Sequence, residues 1–225
     1  MDGATDIRFP SSVRTVAIYG GTFDPPTRAH VELPIAVVDA IDAHWLLVIP
    51  ASTSPFKAGG AHASDPQRVE MLELAFANRP CLTVTPIELH RGGTSYTVDT
   101  LRSLSDSFPE IAFRLIIGAD QAQSFHRWRE AHAIIECAEP AVMLRGDGEG
   151  VDGLIESMAP HWSSKELDQW RSRIVKIPTL DASSTEARAI LSSPCPDETR
   201  LIELLNPTVL DYIKEQGLYG AASTY

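Results

Sequence analysis

An apolar run that leads into a paired glycine is the feature that most constrains the fold of this 225-residue chain. Residues 13–19, with the sequence VRTVAIY, are typical of a buried β-strand. They are followed by Gly20-Gly21-Thr22-Phe23-Asp24-Pro25-Pro26-Thr27-Arg28-Ala29-His30. A ligand can approach glycine closely because glycine has no Cβ, and the first N–H groups of a helix bind anions. The segment therefore predicts a phosphate-binding turn, with Thr27 and His30 on one face of the helix start.

Segments typical of strands and of helices alternate along the rest of the chain. Five further strands are predicted at 45–49, 82–85, 113–117, 141–144 and 173–177. Helices are predicted at 30–43, 65–78, 98–107, around Phe125 and Trp128, at 183–191 and at 206–217, with loops at 50–63 and 145–153. Pro34 should kink the first helix or delay its start. The alternation indicates an α/β fold with a doubly wound, mostly parallel sheet, which binds ligands at the carboxyl ends of its strands.

Composition and charge narrow the class of protein. No repeat or linker divides the chain, so we expect a single domain at 13–220 behind a polar N-terminal extension at 1–12. The net charge of −11 argues against nucleic acid as the main partner, whereas a phosphate ligand needs only a few local cations and dipoles. The three cysteines are far apart, which indicates neither a disulfide framework nor a zinc site. No leader-like or membrane-spanning segment is found, which predicts a cytoplasmic protein without membrane contact, and a homo-oligomer is compatible with the sequence.

A second segment with phosphate-binding chemistry follows the last predicted strand. The hydroxyl groups of Ser183, Ser184 and Thr185 open a predicted helix, where they can cap it or hold a phosphate. Arg188, one turn later, can reach the same anion with its planar guanidinium group. An ordinary helix cap followed by a solvated arginine is the alternative for this segment when it is taken alone.

Both segments resemble signatures of the nucleotidyltransferase superfamily. The first lacks the Walker and dinucleotide-binding patterns but is similar to Gly-Thr/Ser-Phe-Asp-Pro followed by His/Thr-x-x-His. Residues 183–188 are similar to Ser-Ser/Thr-x-x-x-Arg, which holds the ATP phosphates in that superfamily. The resemblance implies a Rossmann-like nucleotidyltransferase fold in which His30, assisted by Thr27, and Arg188 act on the phosphates. It also implies ATP contacts from Gly20, Gly21, Thr22, Phe23, His30, Ser183, Ser184, Thr185 and Arg188.

Other segments resemble one family within this superfamily. Residues 93–101, GTSYTVDTL, are similar to the Ser-Tyr-Thr-x-x-Thr-Leu segment of bacterial nicotinate-nucleotide adenylyltransferases. Residues 116–120 with Phe125 and Trp128, and the closing residues 212–219, are also similar to that family. The resemblance implies that nicotinate mononucleotide and ATP give nicotinate adenine dinucleotide and pyrophosphate, with Mg²⁺ held mainly by substrate phosphates and water rather than by protein ligands. It implies mononucleotide contacts from Lys57, Ser95, Tyr96, Thr97 and Trp128, and ATP contacts from Gly118 and Asp120.

Four positions depart from the family pattern, and at one of them, Ala29 in place of glycine, the change adds only a methyl group. Thr27 replaces the first histidine of His-x-Gly-His, Phe56 replaces a histidine in the loop that contains Lys57, and Arg129 replaces a frequent tyrosine. Two alternative functions therefore stay open at this point. One is a preference for nicotinamide mononucleotide, or dual use of the two pyridine nucleotides. The other is a nucleotide-binding regulator without catalytic activity.

Overall fold

A single parallel sheet organises the chain in the computed structural model, which describes residues 7–52, 61–146 and 150–221. Within these residues six strands are arranged in the order β3-β2-β1-β4-β5-β6, and every neighbouring pair is parallel. Chain order reverses at β1, which pairs with both β2 and β4, and ligands bind at such switch points in open α/β sheets. The strands are β1 Thr15–Gly21, β2 Trp45–Pro50, β3 Leu82–Val84, β4 Ala112–Gly118, β5 Ala138–Arg145 and β6 Ile174–Ile177.

Helices connect the strands and cover both faces of the sheet. They are α1 Arg28–Ala40, α2 Asp65–Ala75, α3 Ile87–Arg91, α4 Thr97–Ser107, α5 Ala119–Gln123, α6 Ala131–Cys137, α7 Val151–Met158, α8 Ser164–Ser172, α9 Ser184–Leu191, α10 Glu198–Leu204 and α11 Pro207–Glu215. The predicted α/β fold with a doubly wound parallel sheet is confirmed, and each predicted strand is present.

Two local predictions are wrong, and one of the two alternatives given for Pro34 does not hold. Residues around Phe125 and Trp128 do not form one helix, because α5 ends at Gln123, residues 125–127 form a 3₁₀ turn and Trp128 is extended. The predicted loop at 145–153 ends earlier than expected, because α7 begins at Val151. Pro34 does not delay α1, since the helix begins at Arg28 and includes this proline.

The core explains why the strands have nearly continuous apolar sequences. Val16 and Ile18 of β1 pack into one apolar cluster, whereas Ala17 packs into a second cluster. Successive side chains of a strand point to opposite faces, so the sheet is buried on both sides. This burial fixes the register of β1 and therefore the position of the glycine turn at its carboxyl end.

The first described residues lie against the same core. Ile7 is buried, and the Phe9 ring makes edge contacts with the rings of Trp45 and Phe108. The boundary expected at residue 12 and the single domain at 13–220 stay predictions. No helix in the described part of the chain is both long and apolar enough to span a membrane.

Candidate active site

The turn after β1 is shaped by the packing of Phe23. Its ring makes edge contacts with the rings of Tyr19 and His30, at centroid distances of 5.5 and 5.4 Å. A Cβ on Gly21 would lie 2.8 Å from this ring, so the turn needs glycine at that position. Phe23 itself has a φ of 51°, and this left-handed conformation turns the chain from the strand toward α1.

Thr27 and His30 lie together at the start of α1. The Thr27 backbone N–H donates to Nδ1 of His30 at 3.0 Å, so Nδ1 acts as an acceptor and the proton of the neutral ring is on Nε2. The Thr27 hydroxyl lies 2.8 Å from the same Nδ1 and 3.0 Å from the Ala182 carbonyl oxygen, and its single proton can be donated to only one of these two acceptors at a time. Thr27 is 1% exposed and does not contribute to the cavity that His30 lines. The structure thus brings the two residues together, with the buried threonine hydroxyl between His30 and Ala182.

The start of α9 is joined to the glycine turn by hydrogen bonds. Ser184 Oγ donates to the Pro25 carbonyl at 2.8 Å, and the Arg188 guanidinium group donates to the Asp24 carbonyl. Arg188 also contacts the Thr185 hydroxyl at 3.4 Å. Ser183 occupies the N-cap position of α9 with an extended backbone, and its side chain makes no capping hydrogen bond. Together with the bond from Thr27, these contacts hold the two sequence signatures at one edge of the sheet.

A cavity of about 700 Å³ lies between these segments and is called the phosphate cavity here. Backbone at two helix starts and the side chains of two arginines, Arg145 and Arg188, surround it, an arrangement suited to an anion. Among the described residues no three His, Cys, Asp or Glu side chains are grouped as metal ligands. The lining includes every residue that the sequence predicted for ATP: Gly20, Gly21, Thr22, Phe23, His30, Gly118, Asp120, Ser183, Ser184, Thr185 and Arg188.

The structure adds lining residues that sequence reasoning missed. His62 precedes α2, and Arg145 ends β5. Tyr19 also lines this cavity, and burial raises the pKa of its hydroxyl to about 12, partly offset by the charge of Arg145. The position of Arg145 at the carboxyl end of a parallel strand could have identified it, because such ends form the ligand-binding edge.

Asp24 is a buried carboxylate beside the phosphate cavity. It accepts hydrogen bonds from the backbone N–H groups of His62 at 2.7 Å and Ala63 at 3.0 Å, and from the Tyr219 hydroxyl at 2.8 Å. Burial acts to raise the pKa of Asp24, but these bonds outweigh it and the pKa lies below the ordinary value. Burial and the bond to this carboxylate in turn raise the pKa of Tyr219. Asp24 therefore stays ionised and ties the turn to two distant segments of the chain.

A second cavity of about 470 Å³ adjoins the first and is called the pyridine cavity here. Tyr96 and Thr97 lie at the start of α4, and the Trp128 ring stacks on Phe125 with centroids 4.9 Å apart. The Arg129 guanidinium group lies over the Tyr96 ring, 4.6 Å from its centroid. The lining includes the four described mononucleotide candidates, Ser95, Tyr96, Thr97 and Trp128. Lys57, the fifth candidate, lies outside the described residues.

Glu88 is an acidic residue in the pyridine cavity that sequence reasoning missed. The Thr100 hydroxyl donates to its carboxyl group at 2.9 Å, and Arg91 donates to that hydroxyl at 2.6 Å. Burial raises the pKa of Glu88, and these polar neighbours oppose the effect only in part. The group belongs to the short helix α3, for which the sequence showed no periodic signal.

The two cavities meet at the glycine turn. Gly20, Gly21, Thr22 and Gln121 line both of them. Ligands in the two cavities would therefore approach each other at the carboxyl end of β1, where the glycines present little more than backbone.

Comparisons of sequence place the chain among known proteins. Residues 18–190 match the family described as cytidylyltransferase-like. The chain is 33% identical over 180 residues to the "Probable nicotinate-nucleotide adenylyltransferase" of Rhodopirellula baltica, covering 80% of this chain and 83% of that protein. It is 32% identical over 212 residues to the protein of the same name from Chromobacterium violaceum, covering 91% and 98%.

Solved structures share the fold, and the sequence relatives show the family. Plasmodium falciparum nicotinic acid mononucleotide adenylyltransferase complexed with APC has a TM-score of 0.65 at 21% identity, covering 92% of this chain and 98% of that chain. The same protein complexed with NaAD has a TM-score of 0.64. From the match over most of its length and the identity to curated relatives, the chain belongs to the nicotinate-nucleotide adenylyltransferases, a nucleotidyltransferase family.

Proposed function

We propose that this protein transfers the adenylyl group of ATP to nicotinate mononucleotide, which gives nicotinate adenine dinucleotide and pyrophosphate. One observation carries the proposal: the residues expected for the two substrates line two cavities that meet at Gly20, Gly21 and Thr22. A reaction between two phosphates needs this arrangement, because the reacting atoms must approach to about 3–3.5 Å. The family of the chain supports the same reaction.

Positioning and charge stabilisation account for the chemistry. The mononucleotide phosphate attacks the α-phosphorus of ATP in line, and the bond to the leaving pyrophosphate breaks. Phosphates are ionised near neutral pH, so the reaction needs neither a general base nor a covalent enzyme intermediate. His30 carries its proton on Nε2 and would donate it as a hydrogen bond to the α-phosphate, while Arg188 and the start of α9 would hold the pyrophosphate.

Thr27 has an indirect role in this proposal. Its backbone N–H selects the His30 tautomer that can donate from Nε2. Its hydroxyl joins that histidine to Ala182, directly before the residues proposed to bind pyrophosphate. Thr27 is thus a positioning residue that sets the relative place of the two phosphate-binding segments.

Mg²⁺ fits the phosphate cavity as an ion that accompanies ATP. Asp120 is a carboxylate of the lining, and the oxygen ligands that Mg²⁺ prefers would otherwise come from phosphates and water. When bound, the ion would neutralise charge on the phosphate oxygens. Asp120 could instead accept hydrogen bonds from the ATP ribose. A Cβ on Gly118 would lie 2.6 Å from the Asp120 carboxylate, so the glycine leaves room for the Asp120 side chain.

The pyridine cavity supports recognition of an aromatic acid. The stacked pair of Trp128 and Phe125 offers an aromatic wall, and the N–H groups at the start of α4 suit a carboxylate. The Arg129 guanidinium group on the Tyr96 ring adds a cation at the cavity wall. These features favour nicotinate mononucleotide over its amide.

A turnover assay tests the proposed function. Pyrophosphate release is measured with Mg-ATP and either nicotinate mononucleotide or nicotinamide mononucleotide, and we expect a higher kcat/KM for the acid. Pyrophosphate release with nicotinamide mononucleotide alone would mean that the amide is the substrate. No release with either mononucleotide would mean that the protein binds nucleotides but does not catalyse this reaction. Arg188→Ala serves as the negative control, since the variant should release little pyrophosphate. A cytoplasmic location and a homo-oligomer stay predictions.

A further inference from the structure

His62 is a histidine of the phosphate cavity that neither sequence signature includes. It lies two residues before the cap of α2 and lines the cavity together with His30 and Arg188. Its side chain is 64% exposed, so a ligand in the cavity can reach it. Its backbone is fixed, because its N–H and that of Ala63 both donate to the buried Asp24 carboxylate.

The Asp24 carboxylate determines which ring nitrogen of His62 carries a proton. Nδ1 of His62 lies 3.1 Å from Asp24 Oδ2. An ionised carboxylate only accepts hydrogen bonds, so Nδ1 is the donor in this pair. The other nitrogen, Nε2, lies on the far side of the ring from the carboxylate. A second proton on Nε2 would make the ring a cation held between Asp24 and a ligand in the cavity.

We propose that His62 is an additional phosphate-binding residue, which takes up a proton when ATP binds and donates from Nε2 to a phosphate oxygen. This inference rests on the proposed function, since it assigns a side chain to the same ATP site. The proton comes from solvent, and no covalent bond forms or breaks. The acidic chain as a whole repels a polyanion, so ATP binding depends on local cations and hydrogen-bond donors in the cavity.

The charged groups around His62 suit this role. Asp24 faces Nδ1, and the Tyr219 hydroxyl donates to the other oxygen of that carboxylate. Arg188 and Arg68 lie close enough to Tyr219 to act on its hydroxyl electrostatically, and His30 lines the same cavity. Asp24 is the anion in direct contact with His62, and a bound phosphate would face it from the opposite side of the ring.

Binding of α,β-methylene-ATP with Mg²⁺ to His62→Gln tests the proposal by calorimetry. Buffers of different ionisation enthalpy give the number of protons taken up at pH 7.5. We expect affinity about tenfold weaker than in the wild type, as for loss of one charge-assisted hydrogen bond, and smaller proton uptake. The ATP phosphates titrate alike with both proteins, so the difference in uptake reports His62. An affinity within twofold of the wild type, or equal proton uptake, would overturn the proposal.

His132→Gln is the matched control. His132 forms a similar exposed pair, with Nε2 3.1 Å from Glu166 Oε1, but it lines neither cavity. The control should change neither affinity nor proton uptake. Thermal unfolding checks that His62→Gln is folded, as expected because the backbone donors to Asp24 remain. If the wild type binds the analogue but releases no pyrophosphate with nicotinate mononucleotide, the proposed function fails while the inference about His62 can still stand.

Discussion

Replacement of Thr27 by valine tests whether this residue acts on the reaction through His30. Valine keeps the shape of threonine but removes the hydroxyl that contacts Nδ1 at 2.8 Å and the Ala182 carbonyl at 3.0 Å. Loss of a buried hydrogen bond costs about 1–2 kcal/mol, which should lower Tm by about 2–8 °C. The Thr27 backbone N–H still holds His30, so kcat should fall only about tenfold, from slightly looser positioning.

A double-mutant cycle with His30 tests whether the effect of Thr27 on kcat depends on His30. His30→Ala alone should lower kcat by about 10²–10³-fold, as for loss of one transition-state donor. If Thr27 acts through His30, Thr27→Val should have no further effect on kcat in the His30→Ala background. The coupling energy would then equal the effect of Thr27→Val alone, about 1.4 kcal/mol for a tenfold change.

Steady-state kinetics of the four proteins at saturating substrates measure this coupling. Thr27→Ser keeps the hydroxyl and should remain near the wild type in kcat, which controls for the lost methyl group. Equal tenfold losses in both backgrounds would refute the reasoning, because they would mean that the Thr27 hydroxyl acts independently of His30, either through the Ala182 carbonyl or by its own contact with the phosphates. Thermal unfolding of each variant shows whether a change in kcat accompanies loss of the fold.

Three other substitutions test the surrounding site. Trp128→Ala should raise KM for nicotinate mononucleotide by about tenfold with little change for ATP, and equal changes for both would rule out the aromatic wall. Gly21→Ala places a Cβ 2.8 Å from the buried Phe23 ring and should destabilise the fold by about 1–3 kcal/mol in thermal unfolding, whereas Gly20→Ala, with its nearest atom at 3.9 Å, should not. Burial raises the pKa of Glu88 above its ordinary value of 4.5, so the folded protein holds this proton more tightly than the unfolded chain. The wild type therefore loses stability as pH rises through the raised pKa. Glu88→Gln lacks this titration, so its Tm relative to the wild type should increase over that pH range. A pH-independent difference in Tm would contradict this assignment.

The sheet was predictable because its strands are buried on both faces. Residues such as Val16, Ala17 and Ile18 form an uninterrupted apolar run only where both sides need apolar contacts. Glycine and proline then mark where the strands end. Helices without such marks were missed, including the five-residue α3 and the whole of α7. The cap of α8 was a readable signal, since Ser163 and Glu166 form a capping box.

The parts of the candidate site that lie within short sequence motifs were predictable. The resemblance to known signatures located His30 and Arg188, which line the phosphate cavity together. Single residues brought in by tertiary contacts gave no such signal. His62 reaches the cavity through hydrogen bonds to Asp24, a residue 38 positions away. Likewise, nothing in the sequence shows that the Ala182 carbonyl accepts from Thr27 rather than leaving that hydroxyl for a ligand.

The two glycines of the turn have different roles, which follow from where the two cavities meet. A Cβ on Gly20 would have Ile49 O as its nearest neighbour, at 3.9 Å, so the fold itself has room for a side chain there. Yet Gly20 lines both cavities, and a side chain at this position would narrow the space in which the two proposed substrates would meet. Gly21 is different, because Phe23 already occupies the space that its side chain would need. In the proposed reaction the first glycine would therefore keep the path between the two phosphates open, whereas the second leaves room for the Phe23 ring that packs against His30.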